Sequence, residues 1–325
     1  MELYPLKFKP IYKEKVWGGD KWNLLDRKIT SEKAVGESWE LSAVKGELSK
    51  VSEGFLKGND IQELIEVYMG DLVGDKVYNR FGIEFPLLFK FINSNEKLSL
   101  QVHPDDELAL KRHKAYGKTE MWYVVGADED SPIYVGLSKD GVTGKELVER
   151  IKNDSFNQII NVERAKSGDV FFLPAGRVHA IGEGLLIAEI QQTSDITYRI
   201  YDWGRENDPA TAREMHLDLA MDAIDYRRLQ SYRTEYEPKT DQIVKLVTCP
   251  YFTTNLLDLT RAMERDYSEL DSFVVYMCLD GAATIECNGT QTQMSKGETV
   301  LIPAVIPDVI ITPDEGKAKF METYI

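Results

Sequence analysis

The sequence predicts a mainly β protein built as two related jelly-roll β-barrels with short helical segments. Three observations carry that prediction. Short apolar or alternating runs recur at residues 35–42, 86–92, 98–103, 120–125, 133–136, 169–174 and 185–191, each with the length and period of a strand. Glycines punctuate these runs, at Gly117, Gly126, Gly136, Gly168, Gly176, Gly182 and Gly184, as turns between strands require. A ten-residue pattern then occurs twice. Lys166-Ser167-Gly168-Asp169-Val170-Phe171-Phe172-Leu173-Pro174-Ala175 and Ser295-Lys296-Gly297-Glu298-Thr299-Val300-Leu301-Ile302-Pro303-Ala304 place glycine, acid, apolar strand and Pro-Ala at the same offsets. A tight turn, a strand and a proline-enforced exit used twice imply a repeated unit. Many short strands of this kind suit a sandwich or jelly roll.

Taken in order, residues 5–17 read as an extended lead-in ending at the turn signal Trp17-Gly18-Gly19. Val35-Gly36-Glu37-Ser38-Trp39-Glu40-Leu41-Ser42 alternates as a strand. Asp60 is placed to cap a helix with apolar residues at Ile61, Leu64, Ile65 and Tyr68. Residues 86–92 are almost wholly apolar, as a strand buried on both faces would be. Lys90 interrupts them, and a lysine there either reaches an edge or points into a site. On the next strand Leu98, Leu100 and Val102 share one face, and Ser99, Gln101 and His103 share the other. Residues 105–116 read as a short helix carrying His113 on the surface, and 145–152 as another. Residues 210–225 read as a helix that bridges to the second β-rich part. The resulting division is 1–206 for an N-terminal metal-bearing barrel with helical insertions, 207–235 for a helical connector, and 236–325 for a C-terminal barrel. Eleven residues after Gly168 lies His179, but eleven after Gly297 lies Asp308. The second copy has no histidine, so it is expected to be metal-free and structural.

Composition bounds the function. A chain of 325 residues, 43% hydrophobic and 29% charged, can bury a large core in one or two domains. Asp plus Glu number 54 against 39 Lys plus Arg, a net charge of −15, which argues against nucleic-acid or anionic-membrane partners. An anionic substrate would therefore need a local basic cluster. Cys249, Cys278 and Cys287 are odd in number and lack metal-type spacing, so reduced thiols are expected. No secretory pattern opens the chain and no run of 18 apolar residues occurs, which points to the cytoplasm.

The four histidines are His103, His113, His179 and His216. Gln101, His103, Glu120 and His179 together offer two imidazoles, a carboxylate and an amide oxygen. That set suits a divalent ion such as Zn²⁺, with Mn²⁺, Fe²⁺ or Co²⁺ as alternatives. Alternation places Leu185, Ile187, Glu189 and Gln191 on one strand face, so Glu189 is a carboxylate among apolar residues. Such a setting raises a carboxyl pKa toward a useful range. The other reading of Glu189 is a partner that orients a ligating histidine. Lys90 reads as a desolvated lysine of lowered pKa. Arg199 can brace a developing anion or a phosphate, or pair with Asp195 or Asp202. Ser99, Lys118 and Arg205 are candidate substrate contacts, since a hydroxyl and two cations suit a phosphate dianion.

Gln101-x-His103-Pro104, Lys118-x-Glu120, Pro174-Ala175-Gly176-x-x-His179-Ala180 and Ser194-Asp195-x-x-x-Arg199 fall in order along the chain. In this arrangement the chain resembles the type I mannose-6-phosphate isomerases (phosphomannose isomerases), which have the cupin fold. The resemblance extends over essentially the whole length and includes Trp17-Gly18-Gly19 and Gly36-Glu37-Ser38-Trp39-Glu40. It implies the short bacterial form and two cupin-like barrels. It also implies one zinc ion at Gln101, His103, Glu120 and His179, and an essential arginine at Arg199. Glu189 matches a position proposed as the family's base, Lys90 another candidate, and Asp195 completes the catalytic set. The implied reaction interconverts an aldose and a ketose phosphate through an enediol, with a sugar phosphate as partner and a monomer or homodimer as the working unit. Two other readings use the same residues. His103, Glu120 and His179 would also satisfy an Fe(II) oxygenase, and a non-catalytic sugar-binding cupin is the third. Gln101 and the cations Lys90, Lys118 and Arg199 favour the isomerase.

Overall fold

Alternating strand patterns and glycine turns produce a chain dominated by sheet. The computed structural model describes residues 2–325. In chain order the N-terminal part contains β1 (Leu6–Lys7), β2 (Ile11–Glu14), β3 (Val35–Leu41), α1 (Ile61–Val73), α2 (Asp75–Phe81), β4 (Leu87–Ser94), β5 (Leu100–Val102) and α3 (Asp106–His113). It continues with β6 (Glu120–Ala127), β7 (Pro132–Leu137), α4 (Gly144–Lys152), β8 (Ile160–Arg164), β9 (Val170–Leu173), β10 (His179–Ile181), β11 (Leu185–Gln192) and β12 (Tyr198–Tyr201). After α5 (Leu217–Ala223) come β13 (Ile243–Thr248), β14 (Thr253–Leu259), β15 (Met263–Asp266), β16 (Val274–Cys287), β17 (Thr290–Ser295), β18 (Thr299–Ile302) and β19 (Asp308–Tyr324).

The first unit is a sandwich of a six-stranded sheet, β2-β3-β4-β11-β6-β9, and a five-stranded sheet, β12-β5-β10-β7-β8. Ile92, Trp122, Val124 and Ile187 of the first sheet meet Ile133, Val135 and Ile181 of the second in one buried cluster. This is the packing that inward-facing residues of two sheets make. The second unit is an eight-stranded sheet whose long strands β16 and β19 wrap a core including Leu257, Cys278, Ile285, Val300 and Phe320. A further cluster joins the units, with Phe89, Phe91 and Met121 packed alongside Phe273, Val275 and Met321. Strand β1 pairs with β18, Leu6 opposite Leu301, so the start of the chain lies in the sheet of its end. Both units are cupin-like, as the sequence predicts.

The repeated decapeptide has the same physical form in both places. Gly168 and Gly297 take φ of 91° and 80°, a conformation suited to glycine. Next to them the Asp169 and Glu298 carboxylates accept from the backbone N–H of Lys166 and Ser295, each at 2.8 Å. Strands β9 and β18 follow. At Asp60 the expected helix start is a full capping box. Its carboxylate accepts from Glu63 N at 3.0 Å, and the Glu63 carboxylate accepts from Asp60 N at 2.9 Å. All three cysteines are free thiols.

Three expectations differ from what forms. The helix read over residues 210–225 is confined to Leu217–Ala223. Before it the Asp208 carboxylate takes the N–H of Ala210, Arg213 reaches Asp202, and the Glu214 carbonyl accepts from Arg199, so side-chain bonds hold that stretch outside a helix. Gly126 and Gly136 lie inside β6 and β7 rather than in turns. Gly136 has φ of 68° where the ladder to β8 shifts register, and a Cβ there would come within 2.1 Å of the Tyr232 ring. Strands β8 and β12 have no counterpart in the sequence reading.

Candidate active site

Strand register assembles the site. In the five-stranded sheet β5 lies between β12 and β10, and both Arg199 and His179 stand opposite Gln101. Residues directly opposite in antiparallel strands point to the same face, so one row delivers an arginine, an amide and an imidazole. His103 follows the end of β5, and Glu120 opens β6 on the facing sheet. His103, Glu120 and His179 are buried, with candidate ligand atoms all within 4.8 Å of one another. The two imidazole rings are 4.8 Å apart at their centroids.

The state of these groups fits a bound divalent cation. His103 Nδ1 lies 2.8 Å from the Ile196 carbonyl, and His179 Nδ1 lies 2.8 Å from the Arg177 carbonyl. A carbonyl only accepts, so each Nδ1 carries the proton and each Nε2 presents a lone pair. Burial first, and the charge of nearby Lys118, keep both rings neutral; His179 falls to about 3 and His103 well below its ordinary value. The Nε2 atoms stand 3.4 Å and 3.1 Å from the Glu120 carboxylate oxygens, and neither oxygen has a partner in good hydrogen-bond geometry. Lone pairs turned on a buried carboxylate repel one another in the protein alone and attract together around a cation. Lys118 supplies part of that charge, its ammonium lying 3.2 Å from Glu120 and 3.1 Å from His103 Nε2. The Gln101 carboxamide comes within 3.4 Å of His179 Nε2, and exchanging its near-isosteric ends turns its oxygen to the same point.

A second row crosses the six-stranded sheet: Trp39, Lys90, Glu189 and Trp122 stand side by side on β3, β4, β11 and β6. Lys90 Nζ is 2.7 Å from one Glu189 oxygen, and the Trp122 indole N–H donates to the other at 2.7 Å. Trp39 donates likewise to Glu37 at 2.7 Å, and Lys15 lies 3.3 Å from that carboxylate. Burial works against the Glu37 charge, but Lys90 and Lys15 overcome it and hold the group at about 2. Burial and the facing Glu120 raise the Glu189 carboxyl, with Lys90 opposing. For Lys90 the expectation of a lowered pKa is overturned. Burial alone would lower it, but Glu189 and Glu37 flank the ammonium and raise it, so it stays protonated.

A cavity of about 130 Å³ joins the two rows, with Gln101, Lys90, Glu189 and Lys118 in its wall and Ser99, Asp195, Arg199 and Arg213 among its other lining residues. Arg199 Nε donates to Ser99 Oγ at 3.3 Å and Nη1 to the Glu214 carbonyl at 2.6 Å. Its alternative pairing with Asp195 or Asp202 does not form. Asp195 is exposed at the rim. Arg205 is turned to the buried Asp202 at 2.8 Å, the Lys97 carbonyl at 2.6 Å and Glu96 at 3.5 Å, and does not line the cavity. Lys15, Glu37, Trp39 and Arg213 line it without having been singled out as site residues. Glu37 and Trp39 had a signal, two same-face residues of an alternating strand; Arg213 had none. A larger open groove of about 1090 Å³ lies alongside and shares only Ser194 and Asp195 with this cavity. Gln101 and Lys118, in the wall of the small cavity, reach His179 and Glu120 of the metal-type cluster, which makes the small cavity the candidate reaction site.

Two cupin units, one enclosing a buried His–Glu–His cluster beside an ion-paired carboxylate, define an enzyme of the metal-dependent cupin class. The family described as "Phosphomannose isomerase type I, catalytic domain" matches residues 5–124, and "Mannose-6-phosphate isomerase, cupin domain" matches residues 242–325. The mannose-6-phosphate isomerase ManA of Bacillus subtilis is 31% identical over 309 residues, covering 93% of this chain and 94% of that protein. A mannose-6-phosphate isomerase of Streptococcus mutans is 30% identical over 303 residues, covering 93% of each. The crystal structure of the B. subtilis mannose 6-phosphate isomerase superimposes with a TM-score of 0.86 at 29% identity, covering 99% of both chains. The chain belongs to the type I mannose-6-phosphate isomerase family. Membership decides against the oxygenase and sugar-sensor readings. Among the described residues no helix is long and apolar enough to cross a membrane.

Proposed function

We propose that this protein interconverts mannose 6-phosphate and fructose 6-phosphate, carrying a proton between C1 and C2 through an enediol. The observation behind this reading is the buried Glu120 carboxylate between two neutral imidazoles, near enough to the desolvated Glu189 for its charge to be felt there. Gln101, His103, Glu120 and His179 would hold the metal, which we take to be zinc. When bound, a divalent cation polarises carbonyl and hydroxyl oxygens as a Lewis acid. Glu189 exchanges the proton at carbon, and its raised pKa brings it nearer neutral pH than an ordinary carboxylate. The Trp122 indole fixes its orientation. Lys90, protonated and paired to Glu189, places positive charge where the enediolate develops. Arg199 and Ser99 orient the substrate chain, Lys118 binds a sugar oxygen, and Asp195 gates the rim. Arg205 acts at one remove, through Asp202.

Residues 1–206 carry the metal-type cluster and the proton-transfer groups, 207–235 connect and add Arg213 to the cavity lining, and 236–325 support the first unit. A doubly charged sugar phosphate suits a cytoplasmic enzyme. The test is a coupled assay of fructose 6-phosphate formation on protein as purified, after chelation, and after Zn²⁺ is restored, with Arg199→Ala beside it. Activity lost on chelation, regained with zinc and nearly absent in the variant supports the reading. Metal-replete protein without activity rejects it.

A further inference from the structure

The buried Asp202 organises an unusual concentration of positive charge at the site. Its carboxylate, fully enclosed, binds Arg205 at 2.8 Å and grips Arg213 with both oxygens, at 3.0 Å and 2.5 Å. Arg199 stands close enough that both of these guanidiniums depress its own pKa, after burial, and Asp202 only partly compensates. Two arginines thus share one buried carboxylate with a third close by, in a chain whose net charge is −15. Local excess of this kind disfavours folding unless an anion completes it.

Two of the three face the cavity. Arg199 and Arg213 line it, whereas Arg205 does not. A guanidinium has five N–H donors. Arg199 commits two, to Ser99 and to the Glu214 carbonyl, and Arg213 commits two to Asp202. The rest have no protein acceptor among the described residues. Ser99 lies two residues before Gln101 along the strand, about 7 Å at the rise of an extended chain. The cationic end is thus separated from the metal-type cluster along the axis on which an open-chain sugar phosphate would lie.

We infer that Arg213 is a specificity-determining residue for the isomerase reading above, binding the substrate's phosphate together with Arg199 while Asp202 holds it in place. The inference rests on that reading and adds a group from outside the barrel strands. Arg213 sits in the non-helical stretch between β12 and α5, and the side-chain bonds that keep that stretch from coiling are the ones that aim it inward. Its side chain is 26% exposed, so the guanidinium is both anchored and reachable.

The experiment compares zinc-loaded wild type with Arg213→Gln and Arg213→Lys. It measures kcat and KM for mannose 6-phosphate and competitive inhibition by inorganic phosphate. Loss of a charge-assisted, bidentate donor predicts kcat/KM lower by about 10- to 100-fold, mostly through KM. The phosphate inhibition constant rises by a similar factor, and Arg213→Lys recovers part of both. Far-ultraviolet circular dichroism and zinc content matching wild type establish that the variants are folded. Folded variants whose phosphate inhibition and KM stay within about twofold of wild type overturn the inference. A fall in kcat with unchanged phosphate inhibition also overturns it, because Arg213 would then act elsewhere. A wild type that does not turn over mannose 6-phosphate overturns the isomerase reading instead, so the two failures are distinct.

Discussion

Lys90, Glu189, Trp122 and Phe171 stand side by side on four strands of the first unit, and Asn255, Glu322, Tyr276 and Val300 stand in the same order on four strands of the second. Each row centres on a buried carboxylate with an aromatic donor beside it. Around Glu322 every place is filled. Arg265 donates to it at 2.8 Å and 3.1 Å, Asn255 at 2.8 Å and Tyr267 at 2.5 Å, and Tyr276 completes the group. Across the sandwich the difference widens. Where Gln101 faces His179 in the first unit, Asp266 faces Asp308 in the second, both exposed. Val274, opposite Ile302, takes the place that Glu120 has opposite Leu173. One fold therefore closes a carboxylate with donors from four residues in one copy, and in the other sets Glu120 between two neutral imidazoles with the Lys118 ammonium at 3.2 Å. A buried carboxylate that faces imidazole lone pairs leaves a place for a further cation.

The largest effect that could break this comparison comes from His179→Ala, which should lower isomerase activity by at least about 10³-fold and lower metal content with it. Asp308→Ala, at the matching place, should leave activity unchanged and stability within about 0.5 kcal/mol. Equal losses in the two variants would end the assignment of chemistry to the first unit. Glu189→Gln should cost about 10²- to 10⁴-fold in kcat with metal retained. Because the base must be ionised and its pKa is raised, wild-type activity should fall away on the acid side at a higher pH than an ordinary glutamate would give. A normal carboxylate limb would count against Glu189. Glu322→Gln should instead act on stability. Weakening a buried pair with Arg265 should cost up to about 3–5 kcal/mol in urea denaturation, with kcat of the folded enzyme unaltered.

Smaller effects sharpen the contrast. His103 and His179 are neutral in the fold with depressed pKa values, while an unfolded histidine titrates near about 6.5. The unfolded chain thus takes up protons first, so chelated protein should lose stability as pH falls below about 6.5, for His179 down toward about 3. Urea midpoints measured across that range should slope less in His179→Ala; parallel slopes would refute the origin. Finally, Gly168→Ala should cost about 1–2 kcal/mol through its left-handed backbone alone. Gly297→Ala should cost more, since its Cβ would meet Leu25 at 3.0 Å, whereas the nearest atom at Gly168 is 3.5 Å away. Reversed melting temperatures would show that the two turns are not equivalent.

The cluster of His103, Glu120 and His179 was legible because the chain has only four histidines and two of them fall at strand edges. The repeat was legible because an acid two residues before a strand apolar pair makes the same local turn wherever it occurs. Glu37 and Trp39 escaped notice because alternation assigns faces without saying which face meets a site; only the pairing of β3 with β4 settles that. Arg213 lies within a stretch whose apolar spacing reads as helix, and the turn dipeptide Asp208-Pro209 before it does not say where its side chain goes. The charge state of Lys90 was misjudged for a related reason. Its desolvation follows from the apolar run, but its two carboxylate neighbours arrive from other strands.

The pairing of β1 with β18 bears on how the molecule is made. Leu6 lies opposite Leu301, and Lys7 forms an ion pair with Glu298 at 3.0 Å; the Lys7 carbonyl also accepts from Ser52 N at 2.9 Å, so β1 has a near neighbour early but gains its strand partner only from far along the chain. Such a distant contact forms late and slowly. Until then Leu6, fully buried in the finished protein, has no complete enclosure. Sealing the second sheet thereby waits on two segments far apart in sequence, which makes it a slow step of folding.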